Sequence, residues 1–300
     1  MKYLSLFLAI LLISCDSEPQ TPSEPQLLRV SYDSEVTEKE RDYFVYLPKG
    51  YHEQESWPVM LFLHGNGERG NAKDELDFVL AHGPLYESWI QKRDLPFVII
   101  APQLPMFSMG EVPYIKNRKK EDLPQRLEEG TPPRPNLFPA NRPMDGIPMD
   151  TTLGGVGPEG WVDGWFRIEN EVMSMVDATL KNYKTDKSRV YITGLSYGGV
   201  GTWYLTSTYS DIFAAAVPVV GWGHPELMQS IVDAAIPVWC FAGGRDQAVP
   251  VQYFYPGINK LEELGHKDFR FTTEEDMNHD VWRRTYAGED IYNWMLTYQK

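Results

Sequence analysis

Cysteine is nearly absent from this chain of 300 residues, which contains only Cys15 and Cys240. Cys15 belongs to a separate N-terminal segment described below, so no internal disulfide and no cysteine-rich metal site is expected in the folded domain. Cys240 stands in the apolar run 236–242, a position typical of a small core residue and not of a catalytic thiol. The cysteine content therefore excludes the classes of domain that depend on disulfides or on cysteine-bound metal.

Basic residues are also scarce, since 28 Lys and Arg stand against 42 Asp and Glu, giving a formal charge of −14. Nucleic acid and anionic membrane surfaces are held by clustered Lys and Arg, so neither is expected as a partner. The one dense basic run, residues 116–120, is followed at once by Glu121 and Asp122. This run is expected to form a solvated loop.

Long apolar runs are missing as well. Residues 4–13 are apolar and follow Lys2, but they are too few to span a bilayer, so residues 1–14 are predicted to be a signal peptide. The Leu-Ile-Ser-Cys sequence ending at Cys15 resembles a bacterial lipobox, which implies lipidation of Cys15; the alternative is a secretory signal cut at another small residue. Residues 15–26 are then a flexible tether, and the expected location is the bacterial cell envelope, at the outer membrane or cell surface. Membrane contact is expected only through the lipid anchor.

The rest of the chain, residues 27–300, is predicted to form one α/β domain with a mostly parallel central sheet and helices on both faces. The first two strands are expected to be antiparallel edge strands, and the later, more continuously apolar ones buried and parallel. The predicted strands cover residues 27–32, 43–47, 59–63, 97–101, 190–193, 214–220, 238–242 and 269–273. The predicted helices cover residues 74–91, 168–183, 197–208, 252–264 and 287–298.

A long segment at about 106–165 interrupts this alternation. It contains nine prolines and no sustained helical or strand period. Connections of this length within a domain are typically lids or binding loops, or are disordered. Because the segment follows a predicted parallel strand, it is expected to emerge at the carboxyl edge of the sheet, where open α/β sheets build their sites.

The strongest chemical signal is Gly-Leu-Ser-Tyr-Gly at residues 194–198. A buried strand leads into it and a helix follows, which is the context of a nucleophile elbow and not of an ordinary glycine-rich turn. Ser196 is therefore the predicted nucleophile.

A serine hydroxyl needs a base, and the base needs an acid that fixes its tautomer. Asp246 and His279 follow Ser196 in the order typical of this elbow, each just beyond a predicted strand. His224 remains a rival base, and Asp276 and Asp280 remain rival acids.

Acyl transfer also needs donors for the oxyanion. One is expected to be the backbone N–H of Tyr197, and the second that of Asn66, with Gly67 as the alternative, in the glycine-rich loop after the strand 59–63. A phosphate cradle is not expected there, because no Gly-Lys-Ser or Gly-Lys-Thr follows.

Five separated motifs together resemble the α/β-hydrolase superfamily. They are Leu-His-Gly-Asn-Gly-Glu-Arg-Gly at 63–70, Ala-Pro-Gln at 101–103, Thr-Gly-Leu-Ser-Tyr-Gly-Gly at 193–199, Gly-Gly-Arg-Asp at 243–246 and Asn-His-Asp-Val-Trp at 278–282. Within it, these motifs resemble the secreted esterase branch with feruloyl and acetylxylan esterases, polyhydroxybutyrate-depolymerase-like and prolyl-oligopeptidase-like hydrolases. The resemblance implies the α/β-hydrolase fold, the Ser-His-Asp triad, and ester hydrolysis with neither metal nor organic cofactor.

The function expected from these observations is a serine carboxylic ester hydrolase that removes acetyl or feruloyl groups from polysaccharide or oligosaccharide esters. Trp222, His224 and Trp282 are candidates for the substrate pocket. Two alternatives remain, a prolyl-oligopeptidase-like serine peptidase and a non-catalytic binding lipoprotein. The expected partner is a small-molecule or oligosaccharide ester.

Overall fold

The structure, a computed structural model, describes residues 23–131 and 164–300. Its centre is an eight-stranded sheet with the strand order β1-β2-β4-β3-β5-β6-β7-β8. The strands are β1 (Gln26–Ser34), β2 (Lys39–Leu47), β3 (Trp57–Leu63), β4 (Val98–Ala101), β5 (Thr185–Leu195), β6 (Ala215–Val219), β7 (Val238–Gly243) and β8 (Phe269–Glu274). β1 and β2 are antiparallel to their neighbours, and β3 to β8 are parallel.

Most helical segments are short. The α-helices are α1 (Gly83–Leu85), α2 (Pro113–Lys116), α3 (Glu169–Asn182), α4 (Tyr197–Thr208), α5 (Met228–Asp233), α6 (Tyr255–Glu263), α7 (Trp282–Ala287) and α8 (Asp290–Met295). Several 3₁₀ turns and one π turn, Tyr86–Ile90, join them to the sheet.

The core has two layers because the central strands are apolar on both faces. In β3, Val59, Leu61 and Leu63 pack toward one layer, and Met60 and Phe62 toward the other. Helices α3 to α6 contribute buried side chains to the first layer, and residues 76–85 with α7 and α8 contribute to the second. Continuously apolar strands of this kind are stable only when both faces are covered, which leaves the loops at the strand ends to build a site.

The predicted fold class is confirmed, and each of the eight predicted strands overlaps an observed one. One detail was wrong, since β2 is not an edge strand. It lies between β1 and β4, and its residues from Arg41 to Leu47 are all buried.

One predicted helix was also wrong, and another is shorter than predicted. The segment 74–91 forms a 3₁₀ turn (Leu76–Ala81), the single turn α1 and a π turn. Gly83 interrupts it with a φ of 79°, and a Cβ there would lie 2.3 Å from the Phe62 ring, so the turn needs glycine to approach β3. The segment 287–298 is broken at Gly288, whose extended backbone separates α7 from α8.

Several predictions fall outside the described residues. These are the signal peptide, Cys15 with most of the tether, and residues 132–163 of the proline-rich segment. Within residues 23–131 and 164–300, no helix has the length and apolar content needed to cross a bilayer.

Candidate active site

Ser196 stands at the turn between β5 and α4, where the backbone is strained. Its φ of 52° and ψ of −115° lie in a region that residues with side chains rarely occupy. The Ser196 N–H donates to Val219 O at the end of β6 (2.8 Å), which helps to hold the turn in place. Strain of this kind costs about 1–3 kcal/mol and persists only when the surroundings enforce it. The turn presents the Ser196 hydroxyl to His279 at the carboxyl edge of the sheet.

The structure brings Ser196, His279 and Asp246 together in a chain of hydrogen bonds. Ser196 Oγ lies 2.8 Å from His279 Nε2, and His279 Nδ1 lies 2.6 Å from Asp246 Oδ2. Since a carboxylate can only accept, Nδ1 carries the proton and Nε2 is left to accept the serine proton. The imidazole therefore has the tautomer that a general base requires.

Asp246 is well suited to this position. Its side chain is fully buried, and the backbone N–H groups of Ala248 and Val249 donate to its other oxygen at 2.8 and 2.9 Å. These donors stabilise the carboxylate and fix its orientation, so that Oδ2 faces the imidazole.

The rival residues are engaged elsewhere. Asp276 forms two hydrogen bonds with Arg284, which hold the pKa of Asp276 below its usual range. Asp280 faces Arg283 at 3.8 Å. His224 Nδ1 caps a 3₁₀ turn by accepting from Glu226 N at 3.3 Å. Only the chain through His279 and Asp246 reaches Ser196 among these candidates.

The loop after β3 lies directly against the nucleophile. A Cβ at Gly65 would be 3.5 Å from Ser196 Cβ and 2.8 Å from a methyl carbon of Leu195, so a larger residue would displace the elbow. A Cβ at Gly67, in contrast, would meet no heavy atom within 4 Å among the described residues. The two predicted oxyanion residues, Asn66 and Tyr197, begin the 3₁₀ turn of this loop and α4 respectively. Both therefore have their backbone N–H groups in the first turn of a helical segment.

Arg69 links the two predicted oxyanion residues and was not singled out from the sequence. Its Nε donates to Asn66 Oδ1 (2.6 Å), and its guanidinium lies 4.8 Å from the centroid of the Tyr197 ring. A further hydrogen bond to Pro105 O (3.0 Å) anchors this fully buried side chain. The glycine-rich sequence around Arg69 indicated the loop, but it did not indicate that the Arg69 side chain would stabilise that loop.

His64 has a structural role in the loop after β3. Its Nδ1 donates to Gly65 O (2.6 Å), and its Nε2 accepts from Leu104 N (2.8 Å). Burial lowers the pKa of His64 to about 3, so the ring is neutral and joins the loop after β3 to the loop after β4.

Trp282 is the predicted pocket residue that lies beside the triad. Its ring packs edge-on against the His279 ring, with centroids 5.2 Å apart. The centroid of the Trp282 ring also lies 5.3 Å from that of the His82 ring. Trp282 also lines a cavity of about 270 Å³ with Tyr86 and Leu127. Trp222 is half-buried against the first core layer.

The first part of the proline-rich segment packs over the loop after β3. Asn66 Nδ2 donates to the hydroxyl of Tyr114 (2.6 Å), and Arg118 donates to Gly67 O (2.6 Å) and to Glu75 (2.8 Å). Within residues 106–131 this segment therefore borders the site, as expected of an insertion at the carboxyl edge. In the described part of the chain, no group of three or more His, Cys, Asp or Glu side chains is arranged to hold a metal ion.

Comparison with known proteins agrees with this architecture. Residues 169–239 match the model of the prolyl oligopeptidase family. A solved thermostable esterase is 25% identical and superposes with a TM-score of 0.58 over 91% of this chain and 63% of its own. The chain has the α/β-hydrolase fold.

Two curated relatives of this α/β-hydrolase match it over shorter stretches. Acetylxylan esterase A of Emericella nidulans is 42% identical over 52 residues, covering 17% of each chain. Feruloyl esterase B of Neurospora crassa is 38% identical over 117 residues, covering 39% of this chain and 32% of its own. This α/β-hydrolase thus spans less than a third of the length of either relative.

Proposed function

We propose that this α/β-hydrolase is a serine carboxylic ester hydrolase. The observation that carries the proposal is the chain of hydrogen bonds from Ser196 Oγ through His279 to Asp246. His279 Nε2 takes the proton as Ser196 Oγ attacks the ester carbonyl, and Asp246 stabilises the resulting imidazolium. The backbone N–H groups of Tyr197 and Asn66 stabilise the oxyanion. The alcohol leaves with the proton from His279, and the acyl group stays on Ser196 Oγ. Water then gives a proton to His279 as it attacks this acyl group, and Ser196 leaves with that proton, which releases the acid.

We infer acetyl or feruloyl esters of polysaccharide or oligosaccharide as the substrate class. The matches to an acetylxylan esterase and a feruloyl esterase favour this class. The cavity beside Trp282 has aromatic and apolar walls that suit an acyl group or the face of a sugar ring. A peptidase is the second candidate, because residues 169–239 match the prolyl oligopeptidase family.

A comparison of ester and amide substrates tests the proposal. We expect the enzyme to turn over p-nitrophenyl acetate, a feruloyl ester and an acetylated xylo-oligosaccharide. The kcat/KM for a peptide anilide should be at least about 100-fold lower than for these esters, which corresponds to roughly 2.7 kcal/mol less transition-state stabilisation. A faster anilide would instead favour the peptidase. Absence of turnover on all four substrates, with no fluorophosphonate labelling, would leave a non-catalytic binding role.

We also propose that the protein is anchored to the cell envelope through a lipid on Cys15. The Leu-Ile-Ser-Cys sequence at the end of the apolar run 4–13 supports this proposal. Several acyl chains on one cysteine give a stable attachment, whereas a single chain is marginal.

The Cys15→Ser variant is expected to lose incorporation of labelled fatty acid and to leave the membrane fraction, or to keep its signal uncut. Cys240→Ser is the matched control, because Cys240 is buried in the domain and is not expected to be acylated. Both variants should be followed by immunoblot and palmitate labelling in a bacterial host. If Cys15→Ser stays acylated, the anchor lies elsewhere.

A further inference from the structure

Glu68 is a buried carboxyl group beside the triad that the mechanism above does not use. Its residue is only 8% exposed, and Oε2 has no hydrogen-bond partner among the described residues. A buried carboxyl without a full set of donors is costly, so its presence in this loop needs a physical reason.

Its position relates it directly to the nucleophile. Glu68 Oε2 would lie 3.0 Å from a Cβ at Gly65, and Ser196 Cβ would lie 3.5 Å from the same point. One glycine therefore separates the carboxyl from the residue that carries the nucleophile. Ser196 Oγ in turn lies 2.8 Å from His279 Nε2, so the Glu68 carboxyl and the imidazole both lie beside the nucleophile.

We propose that Glu68 is a positioning residue of the catalytic centre, whose carboxyl supports the turn at Gly65 and whose negative charge stabilises the imidazolium form of His279. This inference rests on the proposed serine-hydrolase function and adds a second carboxylate to the one supplied by Asp246. An opposite charge near the imidazole favours its protonated form, which is the form that arises as Ser196 attacks.

Glu68 also faces His64, His82 and Arg118. His64 Nδ1 lies 3.8 Å from Oε2, and His82 Nε2 lies 3.6 Å from Oε1. Burial lowers the pKa of His64 to about 3 and that of His82 to about 4, so both rings are neutral above pH 5. Arg118 remains cationic throughout this range. None of these three neighbours changes its charge between pH 5 and 9, so a change in activity that this cluster causes in that range arises from Glu68.

Burial raises the pKa of Glu68 from its ordinary value of 4.5 to about 7, against the opposing effects of nearby backbone amides and Arg118. The charge of Glu68 therefore develops around pH 7. In the wild-type enzyme, log kcat should rise with pH by a step that has its midpoint near this pKa of about 7.

Glu68→Gln removes the charge and keeps the shape of the side chain. We expect kcat for p-nitrophenyl acetate to fall about tenfold at pH 8.5 with KM changed less than about twofold. Below pH 6 the loss should shrink to about twofold, because the wild-type carboxyl is then also neutral. The variant should lack the step in log kcat near pH 7 that the Glu68 carboxyl produces.

Glu68→Gln is expected to fold. Because the pKa of Glu68 is higher in the folded than in the unfolded chain, ionisation costs stability as pH rises from 4.5 through about 7. Glutamine avoids that cost, so the melting temperature at pH 8 should be no lower than that of the wild type. Glu68→Asp, which keeps the charge, should recover part of the pH-dependent gain in kcat.

Glu87→Gln is the matched control, since Glu87 is also buried with a pKa raised by burial, but it pairs with Arg93. Its pH–rate profile should follow that of the wild type. A loss in Glu68→Gln that is equal at every pH, or no loss at all, would overturn the electrostatic role of Glu68. If Glu68→Gln does not fold, a wild-type profile without a rise in log kcat near pH 7 would overturn it as well. Wild-type turnover of the ester tests the proposed function separately from these comparisons.

Discussion

Ser196→Ala is expected to lower kcat for an ester by at least about 10⁴-fold and to abolish covalent labelling by a fluorophosphonate. The substitution removes the single oxygen that His279 Nε2 faces at 2.8 Å. The fold should survive, because alanine has less bulk than serine and the hydrogen bond from the residue 196 N–H to Val219 O is made by the backbone. A steady-state assay of ester hydrolysis measures the fall in kcat, and gel-based detection of the fluorophosphonate adduct measures the loss of labelling.

The control for this variant is Ser174→Ala, on the exposed side of α3, where the hydroxyl donates to Asn170 O within the same helix. It should label and turn over substrate as the wild type does. His279→Ala should lose a similar factor to Ser196→Ala, and the double variant should lose little more, because members of a triad act as a unit. Labelling that persists in Ser196→Ala would mean that another residue is the nucleophile.

The same triad gives a comparison between two carboxylates. Asp246→Asn should leave the imidazole in the wrong tautomer, whereas Asp276→Asn should affect mainly the contact with Arg284. If Asp276→Asn proved the more damaging of the two, the acid would have been assigned to the wrong residue.

Much of the fold could be predicted from the sequence because its strands are buried on both faces. Strands such as β3 and β7 are short apolar runs between turn residues, and such runs have few alternatives to the centre of a sheet. The helical segment at 74–91 was mispredicted because periodicity reports only which residues are apolar. The approach of Gly83 to Phe62, which interrupts it, is a tertiary contact between segments about 20 residues apart.

The candidate site was predictable to the extent that its residues lie in local motifs. Ser196, Asp246 and His279 each follow a strand, so the parallel sheet brings them to one edge. Arg69 and Glu68 were not predicted as parts of the site, because their meaning depends on partners far away in sequence. Arg69 acquires its role from the ring of Tyr197, and Glu68 from the proximity of His279.

The closest backbone contact at the elbow involves Gly198 in the first turn of α4. A Cβ at this position would lie 1.9 Å from Leu63 O and 2.6 Å from His64 O. Both atoms belong to the backbone at the end of β3, so no side-chain rotation can relieve the collision. The helix must approach the sheet this closely for Ser196 to stand beside the loop that carries Asn66.

Gly198→Ala is therefore expected to lower the free energy of unfolding by about 3 kcal/mol or more, against a total of roughly 5–15 kcal/mol for a domain. Alanine is favoured over glycine within a helix by about 1 kcal/mol, so helix propensity alone predicts the opposite sign. The steric term should win, because α4 must move away from β3. Urea denaturation followed by circular dichroism measures the change, and any folded fraction should also lose activity as the loop after β3 shifts from Ser196.

Gly110→Ala is the matched control, because a Cβ at Gly110 would meet no heavy atom within 4 Å in the described parts of the chain and Gly110 also lies in a helical turn. Its free energy of unfolding should stay within about 0.5 kcal/mol of that of the wild type or rise slightly. If Gly198→Ala were equally neutral, α4 would not pack against the end of β3 at the distance described. That contact would then not be what supports Ser196, and no loss of activity would be expected from the substitution.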